Sequence, residues 1–592
     1  MRKWVGTSPA TSRLGRKPAR WLVPQHDPVV VSALAAALGI AAPAARVLIQ
    51  RGYGEPEEAR RFLRPDLADL NDPFLLAGME TAAERLKQAI ERKESILLYG
   101  DYDVDGTCSI VVLGKAIELA GASTRFHIPH RLKDGYGMRS DVIDKAVADG
   151  VSLVISVDTG IRAAAVVEHA RTLGLDVIIT DHHLPEEALP PALAVLNPNR
   201  ADCPYPDKNL CGAGVAFKLV QALMRKLAWP VDKIRRYEES FLKIVALATV
   251  ADVVPLQAEN RIIVKYGLTG LKSVRNTGLR ALLKVSGFED GAAPSAGQVA
   301  FRIAPRINAA GRMSHAEEVI TLFTTADEAK AHEIASKLHD LNAERQQTEA
   351  EIVAAVLEEC AAAPVTDDMA GLVFCGKGWH RGVLGIVASR LVERFCRPVL
   401  VLSEEEGEAS GSGRSIAPFH LLDALESMRD IFSRFGGHRM AAGLTMDASR
   451  LEEFRARFNE YALARLTAED FRPHIEVDAA VGLEELNDGS VAEVLSLAPF
   501  GAGNPAPQFE VYDDEFVGPP SVFAEKHLRL RLRQNGRFLQ VKAWHAAERI
   551  DELQAGTRLD AIVTLEEDAY SASRGYSPWS AQLRDWRRHG IE

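Results

Sequence analysis

Six cysteines in 592 residues, none of them spaced C-x-x-C, exclude a disulfide framework and a thiolate zinc site. Free thiols at positions 108, 203, 211, 360, 375 and 396 fit a reducing compartment, and the chain is expected to be cytoplasmic. Positive charge is also lacking. A formal net charge of −11 removes any global electrostatic argument for nucleic acid, so such an argument must rest on local patches and on a site. Long apolar runs are absent too: Val29 to Ala45 is interrupted by Gly39 and Pro43 and falls short of the ~20 apolar residues a bilayer needs. It reads as an amphipathic packing helix behind a basic leader, residues 1–20, which holds six Lys or Arg and no acid. No membrane association is expected. An apolar content of 47% supplies cores for the three or four domains that the length suggests.

What the chain does have, concentrated in one place, is carboxylate. In LYGDYDVDGT (98–107), Ser95 to Tyr99 is a strand-length apolar run, Gly100 and Gly106 bracket a loop, and Thr107 can cap a helix from Cys108 to Leu119. Asp101, Asp103 and Asp105 therefore fall in a strand-to-helix loop. Three carboxylates within five residues repel one another unless a cation neutralises them. An EF-hand begins with the same spacing, but its twelfth position should be a bidentate Glu and here it is Val112, after a strand rather than a helix. A solvated acidic turn is the other plain reading.

The strand Thr124 to Pro129, the loop HRLKDGYGM, a short helix from Ser140 to Asp149 and the apolar strand Val151 to Val157 follow, the last ending at Asp158. A helix over Ala163 to Leu173 precedes the strand Asp176 to Thr180, which runs into Asp181, His182 and His183. Alternating strands and helices imply a doubly wound parallel sheet, in which ligands collect at the carboxyl ends of the strands. The acidic loop, Asp158 and the DHH triplet all lie at such ends, and Asp252, after FLKIVALATVA, is a fourth candidate. Taken singly, an Asp after a strand is usually a turn residue and paired His are often surface residues. Taken together, carboxylates and imidazoles without thiolate suit Mn²⁺ or Mg²⁺ and a two-metal hydrolytic site.

GDYDVDG, VDTG, DHH and ATVADVVPL resemble the four motifs of the DHH phosphoesterase superfamily. The resemblance continues through RINAAGRM (306–313), GWHRGVLGIVASRL (378–391), SGSGRS (410–415), FGGHRMAAG (435–443) and PFGAGNPAPQFE (499–510). That ordered set, over roughly residues 45–590, is similar to the bacterial exonucleases of the superfamily that degrade single-stranded DNA from the 5′ end. The resemblance implies Asp103, Asp105, Asp158, His182 and Asp252 as ligands of two divalent cations, Mn²⁺ or Mg²⁺, with Asp158 bridging. It implies Asp101 and His183 as phosphate-contacting or supporting groups, and Arg306, Asn308, His380, Ser412, Arg414, Gly436, Gly437 and His438 as substrate-binding residues. Arg131, with Ser412 and Arg414, would hold the terminal 5′-phosphate. Tyr99 stands where the pyrophosphatase branch has a metal-ligating His, which argues against that activity.

The implied architecture is α/β. A DHH catalytic domain (45–320) follows the leader and N-terminal helix (1–44), and a connecting long helix (321–364) leads to a smaller α/β DHHA1 domain (365–462) and an all-β OB-like domain (463–592). The residues themselves support the last two parts. Residues 325–361 lack Gly and Pro and place Ile334, Leu338, Leu341, Ile352 and Val356 on one stripe, a long spacer helix. The GGHRMAAG glycines read by themselves as a helix-packing turn, and they also permit close phosphate approach. His527 to Arg533 alternates Leu528, Leu530 and Leu532 with Arg529, Arg531 and Arg533, and the turn NG leads to Phe538–Trp544. This is a hairpin with a basic face that could track a single strand, with Trp544, Tyr570, Tyr576 and Trp579 as possible stacking surfaces, or could simply be solvated.

The expected chemistry is in-line hydrolysis of a phosphodiester by activated water, releasing 5′-mononucleotides in DNA repair and recombination, with a helicase and a single-strand-binding protein as partners besides single-stranded DNA. The alternatives are a phosphodiesterase of short oligonucleotides and a catalytically inactive DNA-binding scaffold.

Overall fold

The computed structural model describes residues 18–131, 134–135 and 137–590. The basic leader lies almost wholly outside them. The chain divides into two compact units, Arg64–Arg345 with Ala498–Pro505, and the remainder.

The first unit is built on five parallel strands in the spatial order Thr124–His127, Ile96–Tyr99, Leu153–Val157, Asp176–Thr180 and Ala194–Leu196. Both faces are covered. Leu98, Ile155, Ile178 and Leu196 enter the large core on one face, and Leu97, Val154, Val177 and Ile179 enter a second core on the other. That two-sided burial is why these strands read as unbroken apolar runs. After Ile96–Tyr99 the chain adds a strand on one side and then crosses to add Leu153–Val157 on the other. The topological switch point therefore lies between the ends of these two strands, where doubly wound sheets bind ligands.

Several boundaries differ from expectation. The helix after the acidic loop runs Val104–Leu119, capped by Asp103, and Thr107 lies inside it with its hydroxyl donating to Asp103 O at 2.6 Å. The Asp103 carboxylate sits closer to the orphan amides and satisfies one of them, which the Thr hydroxyl would have done from a turn further on. Val29–Ala45 forms parts of two helices, Pro28–Leu38 and Ala42–Gln50, because Gly39 at φ 68° ends the first and Pro43 opens the second. No single helix among the described residues is long and apolar enough to cross a membrane.

In the second unit, the strands Leu372–Lys377 and Val399–Glu405 pair in parallel and extend through Glu408–Arg414 and Ala441–Asp447 to the edge strand Phe432–Gly437. GGHRMAAG is thus the end of a β-hairpin and not a helix-packing turn. Gly436 lies in open space on the edge, while a Cβ at Gly437 would meet Ala441 O at 2.4 Å. The long helix is one piece, Glu328–Ala362, and the division between the two units falls within it.

The C-terminal strands Gln508–Phe516, Arg558–Glu567, Trp579–Arg588, Arg537–Ala543 and His527–Gln534 pair in that order, and the last pairs back onto the first, closing a five-stranded OB-like barrel. The NG turn has Asn535 and Gly536 at φ 49° and 77°, as a two-residue hairpin demands. Leu528, Leu530 and Leu532 are buried and Arg529, Arg531 and Arg533 exposed. A short N-terminal strand, Arg20–Leu22, pairs in parallel with His474–Glu476, which gathers the segment up to Leu63 into this unit.

Candidate active site

The site grows from the ends of three adjacent strands. Asp101 follows Ile96–Tyr99 so closely that a Cβ on Gly106 would lie 2.6 Å from Asp101 O, so the tight return of the loop needs glycine there. Asp103 Oδ1 accepts from Gly106 N at 3.0 Å, capping the helix. Asp105, in the first turn, is fully buried, and its two oxygens accept from Gly212 N (2.6 Å) and Ala213 N (2.7 Å) at the start of the helix Gly212–Lys226. Two amides and a helix N-terminus fix one carboxylate in one orientation. Asp158 takes up the end of Leu153–Val157 at φ 59°, and Gly212 is glycine because a Cβ there would stand 2.6 Å from the Asp158 Cβ.

Asp181, at the end of Asp176–Thr180, points away from the cluster. It accepts from Ile161 N (3.0 Å), His182 N (2.7 Å) and His183 N (3.1 Å), and pairs with His183 Nδ1 at 2.7 Å. Asn199 donates to His182 O (2.6 Å) and Asn197 to His183 O (2.8 Å), so both histidines are held at the backbone and His183 at its ring as well. His182 Nε2 then lies 3.3 Å from Asp158 Oδ1, 3.6 Å from Asp252 Oδ2 and 3.8 Å from Asp105 Oδ2. Asp252 caps the C-terminus of the helix Val231–Ala251.

Three overlapping groups bring their donor atoms within 4.8 Å of one another: Asp158, His182 and His183; Asp105, His182 and Asp252; and Asp101, Asp103 and Asp158. Asp101 Oδ1, His182 Nε2 and Asp252 Oδ2 are buried with no hydrogen-bond partner, which buried polar atoms rarely tolerate. Burial and then the neighbouring carboxylates push Asp101 and Asp158 well above the carboxylate range and Asp252 up to about 9. Burial lowers His182, whereas on His183 the Asp181 hydrogen bond and charge outweigh burial and hold it raised. Crowded oxygens, one neutral imidazole and orphaned donors fit divalent cations of the Mn²⁺ or Mg²⁺ type.

The other expected substrate residues lie elsewhere. Arg131 stacks over the Tyr102 ring at 4.4 Å and, with His127, His130 and His315, lines a cavity of about 300 Å³. Arg306 bonds His339 Nδ1, and Asn308 Oδ1 accepts from Val104 N at 3.3 Å, bracing the catalytic loop. In the second unit, Arg414 donates to Ser412 Oγ (2.9 Å) beside Gly385, in the first turn of the helix Leu384–Phe395. His380 Nδ1 accepts from Gly382 N, and His438 N donates to Ala441 O. Arg529 and Arg531 reach over Phe523 and Phe538 at 5.5 and 4.0 Å. Trp544 packs edge-on to His527 (4.6 Å) and Trp579 Nε1 donates to Asp488, which leaves Tyr570 and Tyr576 as the exposed rings.

Sequence reasoning does not assign roles to Asp181, Asn197, Asn199 and Gly212. Asp181 is visible as the first letter of the triplet; the asparagines in VLNPN, one strand later, need the strand order.

A doubly wound sheet with this cluster at its switch point defines a DHH phosphoesterase, and the DHH family N-terminal domain matches residues 95–249. The DHHA1 domain matches residues 368–464 and the RecJ OB domain residues 477–577. The single-stranded-DNA-specific exonuclease RecJ of Bacillus subtilis (strain 168) is 39% identical over 92% of this chain and 68% of its own length. RecJ of Escherichia coli (strain K12) is 37% identical over 83% of this chain and 86% of its own. The crystal structure of RecJ in complex with Mn²⁺ from Thermus thermophilus superposes with a TM-score of 0.81, at 31% identity, over 97% of this chain and 80% of that one. The chain belongs to the RecJ family of single-stranded-DNA-specific exonucleases.

Proposed function

We infer that the protein removes nucleotides from the 5′ end of single-stranded DNA by hydrolysis at the Asp158-centred cluster. The observation that carries this reading is the convergence of buried, unpartnered donors from Asp101, His182 and Asp252 on the switch point of the sheet. We assign Asp103, Asp105, Asp158, His182 and Asp252 to two cations, with Asp158 between them. When bound, such cations supply the Lewis acidity that activates water and offsets charge on the phosphate oxygens. The chain's own groups do the rest. Asp105 is oriented before any ligand arrives, because Gly212 and Ala213 hold both its oxygens. With Nδ1–H engaged by Asp181, a protonated His183 would present its second N–H, at Nε2, as a donor to a non-bridging phosphate oxygen. His182, kept neutral by burial, is a ligand and not an acid.

Polarity requires recognition of the terminus. Ser412 and Arg414, close to a helix N-terminus and to Gly385, offer a hydroxyl, a guanidinium and backbone amides to a 5′-phosphate. The basic face of the barrel supports strand binding. A helicase and a single-strand-binding protein would supply and present the strand in repair and recombination.

The test uses 5′- and 3′-labelled single- and double-stranded oligonucleotides with Mn²⁺, with Mg²⁺ and with chelator. Cation-dependent release of mononucleotides from the 5′ end of single strands is expected. Release from the 3′ end, or binding without cleavage, would reject the reading. Arg414→Ala should erase the preference for 5′-phosphorylated over 5′-hydroxyl strands; equal loss on both would place Arg414 at the scissile phosphate or in the fold.

A further inference from the structure

Several helices in the catalytic unit end with a residue of positive φ just past the cap. Gly121, Gly150, Gly174 and Gly287 fill that position after the helices Val104–Leu119, Ser140–Ala148, Ala164–Thr172 and Thr277–Val285, as is usual, because glycine enters the left-handed region without steric cost. Three helices depart from this, with Lys93 after Met79–Glu91, Ala228 after Gly212–Lys226 and Val253 after the helix that carries Asp252. In the last of these the cap is Asp252 and the next residue is Val253, at φ 61°. Among the described residues with positive φ, Val253 is the only β-branched one, and β-branched residues are genuine outliers there.

Packing does not explain the valine. Its side chain is 70% exposed and joins no core, whereas Val254 packs against the core of the unit. An exposed, strained valine is retained for something outside the fold. A second such residue lies on the neighbouring loop: Leu184, next to His183, is 65% exposed and also in no core. The two loops meet through the 3.6 Å approach of His182 Nε2 to Asp252 Oδ2. Two exposed aliphatic residues thus directly follow, in the chain, Asp252 and His183 of the carboxylate and imidazole cluster.

We propose that Val253 and Leu184 are substrate-positioning residues that form an apolar clamp for the sugar and base of the nucleotide whose phosphate is cut. A metal cluster grips the phosphate but cannot orient what is attached to it. Aliphatic groups on either side bury the sugar edge and base face and so fix the ester bond for in-line attack, without reading sequence. The proposal rests on the exonuclease reading above and deepens it.

Val253→Gly provides a test in which a structural and a substrate role have opposite signs. Glycine removes the side chain and relieves the backbone, so the melting temperature should hold or rise and the Mn²⁺ binding isotherm should not change. KM for a single-stranded oligonucleotide should rise roughly tenfold, the loss expected for one contacting aliphatic side chain, with a smaller change in kcat. Leu184→Ala should repeat the KM effect at unchanged stability. Unchanged KM in both variants, or a fall in melting temperature for Val253→Gly, overturns the clamp. Absence of Mn²⁺-dependent cleavage by the wild-type protein would instead overturn the exonuclease reading itself.

Discussion

Two regions bury carboxylates and treat them differently. In the catalytic unit, Asp101, Asp105 and Asp252 have no lysine or arginine ion-pair partner among the described residues, and Asp105 and Asp252 approach His182 Nε2 to 3.8 and 3.6 Å. In the C-terminal barrel, Arg558 pairs with Asp513, Arg587 lies 3.6 Å from Glu510 and 3.8 Å from Asp560, and His589 Nδ1 holds Asp560 at 2.7 Å. The barrel uses its acids to close strands, whereas the sheet keeps its acids in mutual repulsion for a cation to resolve. One barrel residue breaks the pattern. Asp514, at a bulge between Val511 and the next paired position, is fully buried with neither oxygen bonded, and burial followed by the charges of Asp560 and Asp513 pushes it up to about 7. This buried acid, beside other barrel carboxylates, takes up a proton as pH falls below about 7.

The largest effect should separate the two regions directly. Asp158→Asn keeps the shape and tolerates positive φ, so it should cut cation-dependent hydrolysis by roughly a thousandfold or more while raising the melting temperature of the metal-free protein. Asp560→Asn should do the reverse, lowering melting temperature and sparing turnover of short oligonucleotides. Near-normal turnover in Asp158→Asn would remove the bridging role.

The next test is pH. The folded values of Asp101, Asp158 and Asp252 are raised, that of Asp252 to about 9, so the folded state holds protons that the unfolded state releases at about 4, and their contribution to stability is lost as pH rises through the folded values. In chelator the melting temperature should fall across that window, and added Mn²⁺ should restore it most at the alkaline end, with protons released on binding. A chelated protein equally stable from pH 5 to 9 would mean that the cluster is already neutralised by its own side chains.

A smaller effect is expected from Arg529→Ala with Arg531→Ala. Long single strands should bind severalfold more weakly, with a salt slope shallower by up to about 1.4, while the shortest substrates are cut as before. Equal losses on long and short strands would make the basic face structural. Smallest of all, Asp514→Asn should raise the melting temperature by a few degrees at pH 8 and by less at pH 5, where the acid is already protonated.

Some of this is legible in the sequence, and the rest is hidden for identifiable reasons. Strands buried on both faces announce a parallel sheet, and strand ends then locate Asp101, Asp158 and His182 without any geometry. The Leu–Arg alternation from 527 to 533 carries its own register, because a two-residue turn fixes the hairpin. Thr107 misleads as a cap because the resemblance commits Asp103 to metal chemistry, yet one carboxylate has oxygens for both tasks. The Asn308 side chain accepts from Val104 N, a contact between residues 204 positions apart that no local pattern encodes. The Asp514 bulge is invisible because an acid on a strand reads as surface until the barrel closes over it.

The short strand Arg20–Leu22 also has a consequence in time. Its partner is His474–Glu476, and the Arg472 Nε to Pro18 O bond that flanks the pairing joins residues 454 positions apart. At about 5–20 residues per second on the ribosome, the first strand waits roughly 20–90 s for its partner to be made. Throughout that wait it is an open edge with Trp21 uncovered, and Trp21 finds its place against Val477 and Ile562 only when almost the whole chain has emerged. Newly made chains are therefore most exposed to holdase chaperones and to proteolysis at their amino end, and a stalled ribosome would release a protein whose catalytic sheet is complete but whose first strand has nothing to join.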